Sequence, residues 1–199
     1  KNKEEVEAYP HWAGARPGDI IFKDVNEDGV IDGNDRVRDD RSRTPRFTGG
    51  LTVDVAYKGF DFSCMFQGAF GGIFYQTTES GDFANFLKSF YDNRWTEDNP
   101  TASFPRTYNR SNEYYVNQQN TFWLHKTDYV RMKNIELGYT IPSILTKKAG
   151  IEHLRIYINA YNLLTFSPDM KDYDPENTSG SGYNYPLNKV INFGINLTF

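Results

Sequence analysis

The sequence predicts an all-β fold: the wall of a transmembrane antiparallel β-barrel with long extracellular loops. Three observations predict it. Five stretches alternate apolar residues with polar or small ones, the period of a strand whose two faces meet different surroundings. Each runs to about eleven residues, enough to cross a bilayer at a tilt. Aromatic residues make up 16% of the chain, with 14 Tyr and 15 Phe, and barrels place such residues in belts at both membrane interfaces. A soluble sandwich could alternate in the same way by burying its apolar face in a core, so periodicity alone leaves both open. Strand length, aromatic strand ends and uneven connections favour the barrel.

Residues 1–19 are polar, with Pro10, Gly14, Pro17 and Gly18, and read as loop. An Asp-rich segment, Asp24–Asp35, comes next, and residues 36–45 mix charges as a linker would. From Phe47 to Lys58, Phe47, Leu51, Val53, Val55 and Tyr57 share one parity, and Thr48, Thr52, Asp54 and Lys58 the other. After Lys58-Gly59 the parity switches. Phe60, Phe62, Cys64, Phe66 and Phe70 now oppose Asp61, Ser63, Met65 and Gln67, so the pair reads as a tight hairpin.

Residues 71–126 form a long insertion. Within Asp82–Trp95, Phe83, Phe86, Leu87, Phe90 and Tyr91 fall at helical spacing and predict a short amphipathic helix. The tract Tyr108–Asn120 reads as polar loop. The insertion's aromatics either stack on sugar rings or face a partner, or else the helix only covers the loop's own base.

Tyr129–Ile141 is the third strand, with Ile135, Leu137, Tyr139 and Ile141 against Asn134, Glu136, Gly138 and Thr140. Arg131 and Lys133 interrupt its apolar row. That suits a membrane surface, where both can snorkel to headgroups. Pro142–Glu152 connects it to His153–Leu164, the fourth strand. Residues 166–187 form a second long polar loop, whose Asp169, Asp172, Asp174 and Glu176 read mainly as solvated. The last strand, Lys189–Phe199, sets Ile191, Phe193, Ile195, Leu197 and Phe199 against Asn192, Gly194, Asn196 and Thr198. The four connections are short, long, intermediate and long. With the last strand running towards the periplasm, both long loops and the Asp24 segment lie outside, as in outer-membrane barrels. Lipid does not tolerate open sheet edges, so further strands are expected upstream.

At 199 residues the length allows one domain or part of a larger one. Mean hydropathy is −0.67, and no apolar run is long enough for a membrane helix; alternating barrel strands average out to polar in the same way. A net charge of −4 argues against a nucleic-acid partner. The lone Cys64 excludes an internal disulfide and a cysteine metal cluster. The opening Lys1-Asn2-Lys3-Glu4-Glu5, with no signal peptide, reads as the middle of something longer, and we expect a C-terminal fragment. No enzymatic signature stands out. His11, His125 and His153 are scattered, and neither a zinc-protease helix motif nor a nucleophile elbow nor a phosphate-cradling glycine loop is present. The expected function is therefore not catalytic.

Asp24–Asp35 places oxygen side chains at loop positions 1, 3, 5, 9 and 12, Gly29 at position 6 and Ile31 at position 8, the pattern of a calcium loop. Asp24, Asn26, Asp28, the Val30 carbonyl and Asp35 are the candidate ligands, with Asp32 acting through water. Asp35 stands where the family of such loops prefers Glu, so bidentate ligation is less assured and affinity modest. No helical pattern flanks the segment. A solvated Asx-rich turn would share its composition. We expect a structural calcium ion, and an extracellular segment 1–45 ahead of barrel strands and loops over 46–199.

Several motifs in fixed order carry a family resemblance across nearly the whole chain. They are P-G-D-I-I-F-K-D-V-N-E-D-G-V-I-D (17–32), P-R-F-T-G-G-L (45–51), Y-K-G-F-D-F-S (57–63), R-W-T-E-D-N-P (94–100), Y-V-R-M-K-N-I-E-L-G-Y-T-I-P (129–142), L-R-I-Y-I-N-A-Y-N-L-L-T-F (154–166), Y-D-P-E (173–176) and the final N-L-T-F. Together they resemble the C-terminal end of SusC/RagA-type TonB-linked outer-membrane transporters of the Bacteroidetes type. The resemblance implies a 22-stranded barrel, of which these would be the last five strands. It implies a SusD-type surface lipoprotein as lid, TonB contacted through an absent N-terminal plug and TonB-box region, oligosaccharide or peptide cargo, and loops exposed at the cell surface. It also implies that Phe199 is a barrel-assembly signal, and it supports calcium at the Asp24 segment. The rival reading is a calcium-dependent adhesion or dockerin-like module, but dockerins carry two such loops with helices and only one is present here.

Overall fold

The computed structural model describes residues 1–75, 87–107, 119–177, 185 and 187–199, which fall into two compact units. One unit comprises the described residues of 41–74, 125–179 and 183–199 and holds the main sheet. Its long strands are β1 (Phe47–Tyr57), β2 (Phe60–Phe70), β5 (Tyr129–Thr140), β6 (His153–Phe166) and β7 (Val190–Thr198). Two short strands that period-two reading does not detect, β3 (Ile73–Tyr75) and β4 (Leu124–Lys126), pair with each other. The main sheet is an antiparallel meander in the order β1-β2-β5-β6-β7, with β1 and β7 at its edges.

All five alternating stretches are thus strands. The β1–β2 connection is the two-residue hairpin expected. Lys58 and Gly59 both lie in the left-handed region, at φ 46° and 88°, as a turn matched to the twist of its strands requires. Tyr57 pairs with Phe60 across it. The turn is also bonded to the next strand, since Thr140 N donates to Gly59 O at 2.7 Å. The β5–β6 connection is a one-turn helix, α3 (Ser143–Thr146), a 3-10 turn and Gly150 at φ 70°.

Register assigns the faces. Leu51, Phe66, Met132 and Leu164 lie in one row; Val55, Phe62, Leu137, Ile158 and Phe193 lie in another on the same side. This apolar side stays exposed: Leu51, Val55, Leu137, Ile191, Phe193, Ile195 and Leu197 are all exposed, Phe193 by 81%. Among the described residues of this unit, none covers them as a core would. The opposite, polar side is the more enclosed one, with Asn159 buried and Arg155 and Glu136 half-buried. A water-soluble sheet has the reverse arrangement.

One expectation fails here. Arg131 and Lys133 do not interrupt the apolar row as snorkelling cations. Pairing slips between Met132 and Asn134, so that Cys64 faces Ile135 while Phe66 faces Met132. Lys133 is the extra residue of this bulge. Beyond it the parity inverts, and Arg131 pairs with Gln67 and Thr165 on the polar face. Arg131 is only 1% exposed.

The second unit comprises residues 1–40 and the described part of 75–124. A short helix, α1 (Lys3–Ala8), starts at Asn2, whose side chain accepts from Glu5 N; residues 1–19 are therefore not all loop. The insertion contains α2 (Lys88–Asn93), shorter than the helix predicted over 82–95; residues 82–86 and most of the Tyr108–Asn120 tract lie outside the described residues. Phe90 of α2 is fully buried, 5.7 Å from Phe104 and 6.2 Å from Trp123 between ring centroids. For this part of the insertion, the aromatics pack on their own unit. Gly18 at φ 86° lies against the Trp95 ring, where a Cβ would approach to 2.5 Å. Arg106 holds Asp19 at 2.6 Å, and its backbone N donates to Gly18 O at 2.8 Å.

Candidate functional site

The polar face of the sheet is a connected ladder across four strands. Arg155 on β6 bridges Asp61 on β2, to which its Nε donates at 3.0 Å, and Glu136 on β5 at 2.6 Å. Asn159 donates to the other Glu136 oxygen at 3.2 Å, and Asn192 on β7 donates to Asn159 at 3.0 Å. Each of these residues has the polar parity, so the two-residue period itself brings them together. Gly138 leaves the room that the Arg155 guanidinium fills. Tyr157, with the Arg155 guanidinium 4.9 Å from its ring centroid, lies on Gly194 of the neighbouring strand.

At the other end of β5 the bulge delivers Arg131 to a second cluster. Its guanidinium meets Asp174 at 2.6 Å, Glu176, and Thr165 Oγ1 at 2.9 Å. Lys133 reaches Glu176 at 2.8 Å, and the Tyr129 hydroxyl donates to Glu176 at 2.8 Å. Burial works against a charged Glu176, but bonds from Lys133 and Tyr129 and the nearby Arg131 charge outweigh it and hold its pKa below the ordinary value. The same loop is fixed again at Asp169, which accepts from Lys126 N at 2.7 Å and meets His125 at 3.2 Å. Burial again opposes the charge there, and those bonds prevail to lower the pKa. Of the acids read as solvated, Asp169, Asp174 and Glu176 are therefore anchors of the loop. Beside them lies an open cleft of about 490 Å³ lined by Lys133, Asp174, Glu176, Asn177, Tyr185 and Leu187. Sequence reasoning missed this cluster because an interrupted apolar row does not reveal a slipped register; the interruption at Arg131 and Lys133 and the Y-D-P-E motif were its traces.

The segment Asp24–Asp35 is folded by its own side chains. Asp24 accepts from Glu27 N and Gly29 N, both at 2.7 Å. Asn26 accepts from Asp28 N at 3.3 Å, and Asp28 from Val30 N at 2.9 Å. Asp35 closes the loop by accepting from Val25 N and Asp32 N, both at 2.8 Å. These two backbone bonds, Asp32 first, lower the Asp35 pKa. Glu27 and Gly29 take φ of 61° and 83°, and Ile31 turns inward, 4% exposed. The Asp24, Asn26, Asp28, Val30 and Asp35 set thus lies on one tight loop of hard oxygen donors. Among the described residues, no three His, Cys, Asp or Glu side chains already converge as a metal cluster.

No protein-family model matches the chain. Individual proteins do. TonB-dependent receptor P3 of Formosa agariphila is 31% identical over 92% of the chain, and receptor P26 of the same organism 29% identical over all of it. TonB-dependent receptor SusC of Bacteroides thetaiotaomicron is 24% identical over 92%. Among solved structures, the RagAB peptide transporter superposes with a TM-score of 0.64 and 29% identity over 86% of the chain and 19% of its counterpart. The chain spans about a fifth of the length of these relatives, 18 to 21%. With its apolar sheet face bare and its polar face bonded, the chain matches, in sequence and in fold, a C-terminal part of the outer-membrane barrel of TonB-dependent receptors of the SusC/RagA type.

Proposed function

We propose that this chain forms barrel wall and outer loops of a receptor that imports oligosaccharides or peptides across the outer membrane. TonB supplies the energy and a SusD-type lipoprotein closes the outer mouth. The observation that carries this is the inverted sheet: exposed Ile191, Phe193, Ile195 and Leu197 on one side, the Asp61–Arg155–Glu136–Asn159–Asn192 ladder on the other. A wall between lipid and a polar lumen uses both faces in that way. The names of the relatives, receptors dependent on TonB and a peptide transporter, support the reading. The test is uptake: cells carrying the full-length receptor should accumulate a labelled oligosaccharide or peptide pool, and lose this when TonB is deleted or the proton-motive force is collapsed. Uptake that persists without TonB would overturn the reading.

The second part of the proposal is a structural calcium ion held by Asp24, Asn26, Asp28, the Val30 carbonyl and Asp35, with Asp32 through water. The donors fit a hard cation in type and order. The loop backbone already takes the required turn, and the ion would draw the side-chain oxygens together. Isothermal calcium titration of the full-length receptor and its D24A/D28A variant checks this; equal binding by both would remove it.

A further inference from the structure

The connection between β5 and β6 exposes two adjacent branched residues, Ile144 by 78% and Leu145 by 67%. The turn holds them there. Thr146 is buried, and Thr146 O accepts from Ile151 N at 3.3 Å. Leu145 N donates to Pro142 O at 2.9 Å, Gly150 N to Lys147 O at 3.1 Å, and Ile141 N to Leu154 O at 2.9 Å. Exposed Lys147 and Lys148 follow directly.

The register shows what adjoins them. Tyr57, Phe60, Tyr139, Ile156 and Ile195 form one row across the sheet at this end of the strands. Of these, Tyr57, Phe60, Ile156 and Ile195 are exposed, as is Phe199 just beyond. Leu154 and Leu197 carry the apolar side one row further, and the turn with exposed Ile144 and Leu145 follows at this end of β5 and β6, its two cations next in the chain. An amphipathic turn of this make-up fits the boundary between acyl chains and phosphates.

We propose that the α3 turn is an interfacial lipid contact. Ile144 and Leu145 seat among the acyl chains of the phospholipid leaflet, and Lys147 and Lys148 pair with its phosphates. The proposal rests on the outer-membrane barrel reading and adds a membrane-binding element outside the strands.

The test places a nitroxide at I144C, L145C or F193C of the full-length receptor, in a background without other accessible thiols. The protein is reconstituted in nanodiscs of phosphatidylethanolamine and phosphatidylglycerol. Collision with oxygen, which concentrates in lipid, is compared with collision with a water-soluble nickel chelate. Labels at 144 and 145 should favour oxygen, as the label at 193 does. Replacing both lysines (K147E/K148E) should shift them towards nickel in these discs, and labels that do not move would overturn the pairing with phosphates. Nickel preference at 144 and 145 with oxygen preference at 193 overturns the lipid contact alone. Protection from both reagents would mean a protein covers the turn and also overturns it. Nickel preference at all three overturns the barrel reading beneath it.

Discussion

Two acidic segments of this molecule have similar composition and opposite fates. In Asp24–Asp35 the carboxylates are satisfied by the segment's own backbone, through partners two to ten residues away. In the loop after β6, Asp174 and Glu176 are satisfied by cations of β5, 43 and 45 residues back in the chain. The first segment needs only itself to take its shape. The second is shaped by a partner that a bulge must first present. The difference shows that acid density says little about a loop; where its hydrogen-bond donors come from says much more.

Removing the presented cation should therefore have the largest effect. Arg131→Ala leaves Asp174 and Glu176 without their buried partner, and loss of one member of a buried pair costs about 3–5 kcal/mol. Since the two carboxylates keep 16% and 27% side-chain exposure, the lower end applies. Hydrogen exchange of the full-length receptor should show lost protection at residues 169–177 and none at 24–35. Loss at both would end the distinction between the segments.

Calcium should act on the first segment alone. At about a hundredfold excess over its dissociation constant, an ion adds about 2.7 kcal/mol to the state that binds it. Thermal melting in calcium against chelator should therefore separate for the parent and coincide for D24A/D28A. Smaller still, Tyr129→Phe removes one of several donors to Glu176 and should cost about 1 kcal/mol in the same exchange measurement, with Arg131 and Lys133 left in place.

Acid should weaken both segments in one direction. Glu176 and Asp35 have lowered pKa values, so their stabilisation is present above the unfolded carboxylate value of about 4 and is lost as pH falls through the folded values. Exchange protection should be flat from neutral pH down to that range and decline below it. A gain in protection on acidification would contradict the assignment of the ion pairs.

Local chemistry was legible in the sequence and long-range chemistry was not. Period two located β1, β2, β5, β6 and β7, and Lys58-Gly59 announced its hairpin, because neighbouring residues decide both. The Asp24 turn was legible for the same reason. The face of Arg131 was not. A single inserted residue, Lys133, reverses parity, and a sequence shows that the row is interrupted without showing that the register has slipped. The partners of Arg131 lie 34, 43 and 45 residues away, and only the pairing of β5 with β6 brings the first of them, Thr165, beside it.

Tyr157 has one more consequence. Because Gly194 offers no side chain where the phenol rests, the ring can recline along the wall instead of standing away from it. A methyl group there would overlap the ring and force it off the neighbouring strand. How far the polar face stands up at this row is thus decided by an atom the chain omits.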